Sequence, residues 1–143
     1  MGNFEYAYTL TGGDGVPAVH DFPVAASQTL KVGDLVELSS GQVIKSTGSA
    51  ASPLGVMAQD SAGANAGTLV RVAPIVPGQV WRAGASADAS SAVLGSRKYD
   101  ITSAQKVDLS DSTGGSILIV KVGRASSDVY VTFTRCALIE IGS

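Results

Sequence analysis

The chain is short of the groups that carry out chemistry. Its 143 residues include one histidine, His20, and one cysteine, Cys136. A structural zinc needs four Cys or His ligands and a catalytic zinc usually three protein ligands rich in His, so this pair supports neither. A lone cysteine forms no internal disulfide, which is consistent with synthesis in a reducing cytoplasm. His20 lies between Pro17 and Pro23, with no Gly-x-Ser-x-Gly elbow anywhere to hold a nucleophile, and reads as a loop histidine. Cys136 follows the strand-like run 129–135 and reads as a small buried thiol. The inventory therefore assigns no catalytic residue, no metal and no cofactor, and points away from an enzyme. A hydrolase built on His20 is the weakest of the alternatives.

Charge is scarce as well. Charged residues make up 15% of the chain, against roughly 25% in a typical soluble domain. Ten basic residues face twelve acidic ones, a net charge of −2, whereas a nucleic-acid binder normally carries a basic excess that neutralises phosphates. No apolar stretch approaches the roughly 18 residues of a membrane-spanning helix. The run Met1-Gly2-Asn3-Phe4-Glu5-Tyr6 lacks the cationic start and apolar core of a signal peptide, and Tyr6 stands where a myristoylation pattern wants Ser or Thr. Neither nucleic acid, membrane nor a small-molecule substrate is an expected partner. Gly12-Gly13-Asp14-Gly15 has no following Gly-Lys-Ser/Thr and reads as a flexible turn, not a phosphate cradle. Residues 108–114 echo a calcium loop only loosely, with glycine one place late and Ile119 where a bidentate Glu belongs, and read as a polar hairpin turn.

What the chain does have is period-two patterning between Gly, Ser and Pro turns. Residues 34–46 form a tight hairpin about Ser39-Ser40-Gly41-Gln42. Strands follow at 54–58, at 67–76, and, after Pro77-Gly78, at 79–83 around Trp81. Residues 84–96 are rich in Ala and Ser and form either one short helix between Asp88 and Leu94 or a loop. Brief strands at 98–102 and 106–109 precede a closing hairpin, 116–124 with 128–135, in which Val129, Val131 and Phe133 share one face. The run from Ile117 to Val120 is apolar on both faces, which suits a strand covered on both sides or one at a subunit interface. About nine short strands imply an all-β fold: a small β-barrel or sandwich of short antiparallel strands, with an extended N-terminal arm and at most one short helix.

Residues 1–29 form the arm and residues 30–143 the core. The arm holds Phe4, Tyr6, Tyr8 and Phe22, four of the seven Phe and Tyr residues. Phe4, Tyr6 and Tyr8 sit at strand alternation on one side. Such a stripe either completes its own sheet or adds as a strand to a neighbouring chain.

One stretch has the look of a known family. Leu30-Lys31-Val32-Gly33-Asp34-Leu35-Val36-Glu37-Leu38 is followed by Gly41-Gln42-Val43-Ile44-Lys45 and then Pro53-Leu54-Gly55-Val56-Met57-Ala58. Gly67-Thr68-Leu69-Val70-Arg71-Val72 and Gly78-Gln79-Val80-Trp81 complete the series. Residues 30–83 so arranged resemble the capsid decoration, or cement, proteins of tailed-phage heads. The closing hairpin resembles them more loosely, and residues 1–29 and 84–96 have no counterpart. The resemblance implies a structural virion protein, made in the host cytoplasm and located on the outer surface of the phage head. There it would stabilise the shell by bridging subunits of a major capsid protein of the HK97 type, often as a homotrimer, and no catalytic residue carries over. Low charge and aromatic anchors suit an interface, so the candidate contact residues are Phe4, Tyr6, Tyr8, Phe22, Trp81, Ile117 and Ile119, although for Trp81 a place in the barrel core is the favoured reading. The alternative is a carbohydrate-binding or adhesion β module, with Tyr99 and Tyr130 as its aromatic platform.

Overall fold

The computed structural model describes residues 4–9, 17–46, 53–76, 78–90, 94, 99–111, 115–124 and 127–134. Among them the alternating pattern becomes thirteen short strands and no helix. Two curled sheets pack against each other as a β-sandwich, and neither closes into a barrel.

The first sheet has five strands in the order β2 (His20–Pro23), β8 (Leu69–Pro74), β6 (Gly55–Met57), β4 (Leu35–Ser39) and β5 (Gln42–Lys45). The expected hairpin is β4 and β5, with Ser39 opposite Gln42. Ser40 and Gly41 both take positive φ, 51° and 78°, the two-residue turn whose twist matches that of the flanking strands. The sheet curls until Val24, just beyond β2, meets Val43 in a single parallel bridge. Inside the curl Val24, Leu30, Val36, Val43, Leu54, Met57, Val70 and Val72 form one core cluster. A two-stranded pair, β3 (Thr29–Leu30) and β7 (Ser61–Ala62), lies beside it.

The second sheet runs β10 (Asp100–Ser103), β11 (Lys106–Asp108), β9 (Gln79–Ala85), β13 (Asp128–Phe133), β12 (Ile117–Val122). Strand β1 (Glu5–Thr9) pairs with residues 79–82 of β9, and β11 pairs with residues 84–85 along the same edge. The β11–β9 pair is parallel, a departure from the all-antiparallel expectation. The larger core cluster joins Leu35, Val56, Ala73 and Ile75 of the first sheet and its flank to Phe4, Trp81, Ile101, Ile117, Ile119, Val129, Val131 and Phe133. Consecutive residues are therefore buried in β4 (Leu35, Val36), β6 (Val56, Met57) and β8 (Val72, Ala73). These strands are covered on both faces, one by their own curl and one by the second sheet.

Several sequence expectations are corrected. Gly84 and Ala85 finish β9 between β13 and β11 instead of starting a loop or helix. Asp88, Ala89 and Ser90 are not helical, and most of the rest of that segment lies outside the described residues. His20 is an exposed residue that opens β2 opposite Val72, not a loop residue. Cys136 and Gly12-Gly13-Asp14-Gly15 also lie outside the described residues. At residue 108 the chain does turn, the Asp108 carboxylate accepting from the backbone N–H of Ser110 at 3.0 Å and from its hydroxyl at 2.6 Å. The turn closes no hairpin, because β11 pairs with β10 and β9 and β12 with β13; residues 112–114 lie outside the described residues.

Glu37 links this packing to pH. Burial raises its carboxyl above the ordinary value of 4.5, and the hydroxyl of Ser46, donating at 3.4 Å, pulls it partly back. The proton is held more tightly in the folded chain than in the unfolded one, so losing it costs stability. That cost is absent below pH 4.5 and complete above the folded-state value. Glu37→Gln is expected to unfold at a higher temperature than the parent at pH 7, with the gap closing as the pH falls towards 4.5. A gap that does not change with pH in calorimetry would assign the effect to packing instead.

Candidate interaction site

The aromatic arm becomes β1, laid on β9 of its own chain. Phe4, just before it, is 1% exposed and packs on Phe133 with ring centroids 6.1 Å apart. Burying a side chain of this size contributes about 2–3 kcal/mol. The Phe4 N–H donates to the carbonyl of Gly33 at 3.0 Å, tying β1 to the first sheet. Tyr6 lies opposite Trp81 and meets its ring edge-on, 5.6 Å between centroids at 77°.

Ala7 is an extra residue in β1: Tyr6 faces Trp81, yet Tyr8 faces Val80. This β-bulge flips every side chain after it to the other face. Phe4, Tyr6 and Tyr8 therefore do not share a side, contrary to the alternation read from sequence. Tyr8 lies on the outer face of the second sheet, 39% exposed, beside Tyr130 at 6.3 Å between ring centroids.

Phe4, Tyr6 and Trp81 do come together, along an open groove of about 320 Å³ where β1 and β9 meet the first sheet. Val56, Met57 and Ala73 extend its floor, and Pro17, Val19 and Val32 form its rim. Val19 is 49% and Val32 52% exposed, two large apolar side chains left in water at the rim of the groove. The turn that presents Val32 is held firmly. Gly33 takes φ 93°, a conformation that favours glycine. The Asp34 carboxylate accepts from the Lys31 N–H at 3.1 Å, and the Val32 N–H donates to Asp60 at 2.9 Å. The Gly-Asp pair in the sequence is thus the hinge point of a rigid turn with an apolar tip.

The remaining candidates lie elsewhere. Phe22 is half-buried against the core of the first sheet. Ile117 and Ile119 are buried in the large core cluster, so the inward face of β12 is covered by the chain itself. Tyr99 is fully buried in the same cluster, which removes it from any surface platform with Tyr130. Its hydroxyl and the Trp81 indole N–H are buried with no hydrogen-bond partner among the described residues, each a cost of about 1–3 kcal/mol.

The groove offers shape and apolar area, with Glu5 as the charged group in its lining. Among the described residues no three His, Cys, Asp or Glu side chains gather as metal ligands would. Such a surface has the shape and apolar area to receive a complementary chain. Compared with models of protein families and with curated proteins, the sequence matches none.

Proposed function

We propose that this chain is a structural protein of a tailed-phage virion. It binds the outer surface of the assembled head as a homotrimer and stabilises the shell by bridging major capsid protein subunits of the HK97 type. The observation that carries the reading is the groove floored by Phe4, Tyr6 and Trp81, with Val19 and Val32 exposed on its rim. A charge-poor apolar patch suits the core of a protein interface, and here Val19, Val32 and the part-exposed Tyr6 ring present it while Phe4 and Trp81 support it from below. The family likeness of residues 30–83 supports it further, because that stretch supplies Val32, Val56, Met57, Ala73 and Trp81 to the groove. A protein that binds only the assembled shell stabilises it by mass action, and several weak contacts per trimer multiply through effective concentration.

The test is to add the purified chain to undecorated heads and follow their thermal disruption. The parent is expected to raise the disruption temperature, and a Val19→Asp, Val32→Asp double variant to lose at least about tenfold in head affinity. Both positions are exposed, so the variant should melt as the parent does. Heads whose melting ignores the parent protein would overturn the proposal, and undiminished binding by the variant would remove the groove from it.

A further inference from the structure

A second groove, of about 410 Å³, opens on the outer face of the second sheet, and its walls include Glu5, Tyr8, Arg82, Lys121 and Tyr130. Two β-bulges build it. The extra residue Ala7 in β1 turns Tyr8 outward, as described above. In β12 the extra residue is Val120: Ile119 faces Val131, but Lys121 faces Tyr130, where unbroken pairing would place Val120. Without these bulges Tyr8 and Lys121 would lie on the core-facing side. Bulges on two strands thus re-aim one aromatic and one cation into the same groove, a use of bulges common beside binding sites.

The chemistry of the groove is specific. Tyr8 is 39% exposed and tilted 34° to Tyr130, so two rings on a rigid sheet form an apolar platform. The Lys121 ammonium lies 5.2 Å from the centroid of the Tyr130 ring. Arg82 Nη2 and Glu5 Oε2 pair at 2.6 Å, presenting donors and an acceptor side by side. Among the described residues that line the groove, two cations, Arg82 and Lys121, face one carboxylate, that of Glu5. Lys121 has no carboxylate partner among the described residues.

We propose that this groove binds an anionic pyranoside, a sugar of the uronate class. The C–H-rich face of a pyranose ring packs on an aromatic face, whose quadrupole is negative. Its vicinal hydroxyls match the alternating donors and acceptors of Arg82 and Glu5. Its carboxylate is drawn to the unmatched charge of Lys121. The volume suits one or two sugar rings, at the small end of ligand sites. The proposal does not rest on the proposed head binding, although Glu5 borders both grooves.

The test is titration of the full chain with a glucuronate-terminated disaccharide and with its neutral glucose counterpart, followed by NMR shifts or calorimetry in low salt. The uronate is expected to bind about threefold more tightly than the neutral sugar, the scale of one exposed charge pair. Tyr8→Ala should weaken both about tenfold, and Lys121→Gln should abolish the preference. Unchanged thermal unfolding of both variants would show that the fold is intact. No binding of either sugar by the parent, or undiminished binding by Tyr8→Ala, overturns the proposal. Equal affinity for the two sugars overturns its anionic part.

Discussion

Replacing Asp34 with alanine is expected to lower stability by about 3 kcal/mol, a drop of roughly 10 °C in the unfolding midpoint. The side chain is completely buried, and its carboxylate serves three parts of the fold at once. It accepts from the Lys31 N–H at 3.1 Å, closing the turn that carries Val32. It accepts from Gln105 Nε2 at 2.8 Å, reaching the β10–β11 turn of the second sheet. Lys45 Nζ stands 3.8 Å away on β5. Hydrogen bonds to a buried charge are worth about 1.5–3 kcal/mol each, more than neutral ones. The lysine contributes little beyond this, being 39% exposed and screened by water. Asp34→Asn keeps an acceptor for one donor and should cost about half as much. Urea unfolding at constant m-value is the measurement, and a loss below about 1 kcal/mol for Asp34→Ala would mean that neighbouring water or backbone replaces the carboxylate.

The same residue shows what was legible in the sequence. Gly33-Asp34 could be recognised as part of a strand-opening pattern, and Ser40-Gly41 specifies its hairpin turn by local backbone preference alone. Both features are local, and both are found where the pattern put them. Val129, Val131 and Phe133 were likewise readable as one face, and all three are buried. The bulges at Ala7 and Val120 were not readable. A bulge is a register choice made by two strands together, and nothing in Tyr6-Ala7-Tyr8 or Ile119-Val120-Lys121 marks the extra residue. Simple alternation therefore placed Tyr8 with Phe4 and Tyr6, and it missed the groove with Lys121 altogether. Gly84 and Ala85 were misjudged for a related reason. Small residues have low intrinsic strand preference, but here they lie between a parallel and an antiparallel neighbour, where close packing overrides composition. The run from Ile117 to Val120 was read as covered on both sides or lying at a subunit interface. Ile117 and Ile119 are buried within the chain while Leu118 and Val120 are only half-buried, and periodicity alone does not say what covers each face.

Gly55→Ala is expected to destabilise the fold by about 3 kcal/mol or more, although it adds a single methyl group. Gly55 lies in the central strand of the first sheet, opposite Val36 on one side and Pro74 on the other. A Cβ built there would run into the backbone carbonyl of Ala73 and come within 2.8 Å of the Val72 Cγ1. Side chains give way readily, but a carbonyl fixed in a paired strand moves only with its neighbours. Inserting a methyl group into a packed core commonly costs 1–3 kcal/mol, and a backbone collision lies at or above the top of that range. Ala73 and its neighbour Val72 line opposite faces of β8, one towards the second sheet and one towards the inner core. Displacing this strand therefore loosens both cores and also the floor of the groove that Ala73 shares with Trp81. Gly41→Ala offers the contrast: its Cβ would meet nothing within 4 Å, and its cost is the strain of φ 78° alone, about 1 kcal/mol. Parallel denaturation of the two variants should find Gly55→Ala clearly the less stable. The reverse order would mean that β6 and β8 can slide apart without loss, and that the first sheet is not the rigid support on which the Val32 turn depends.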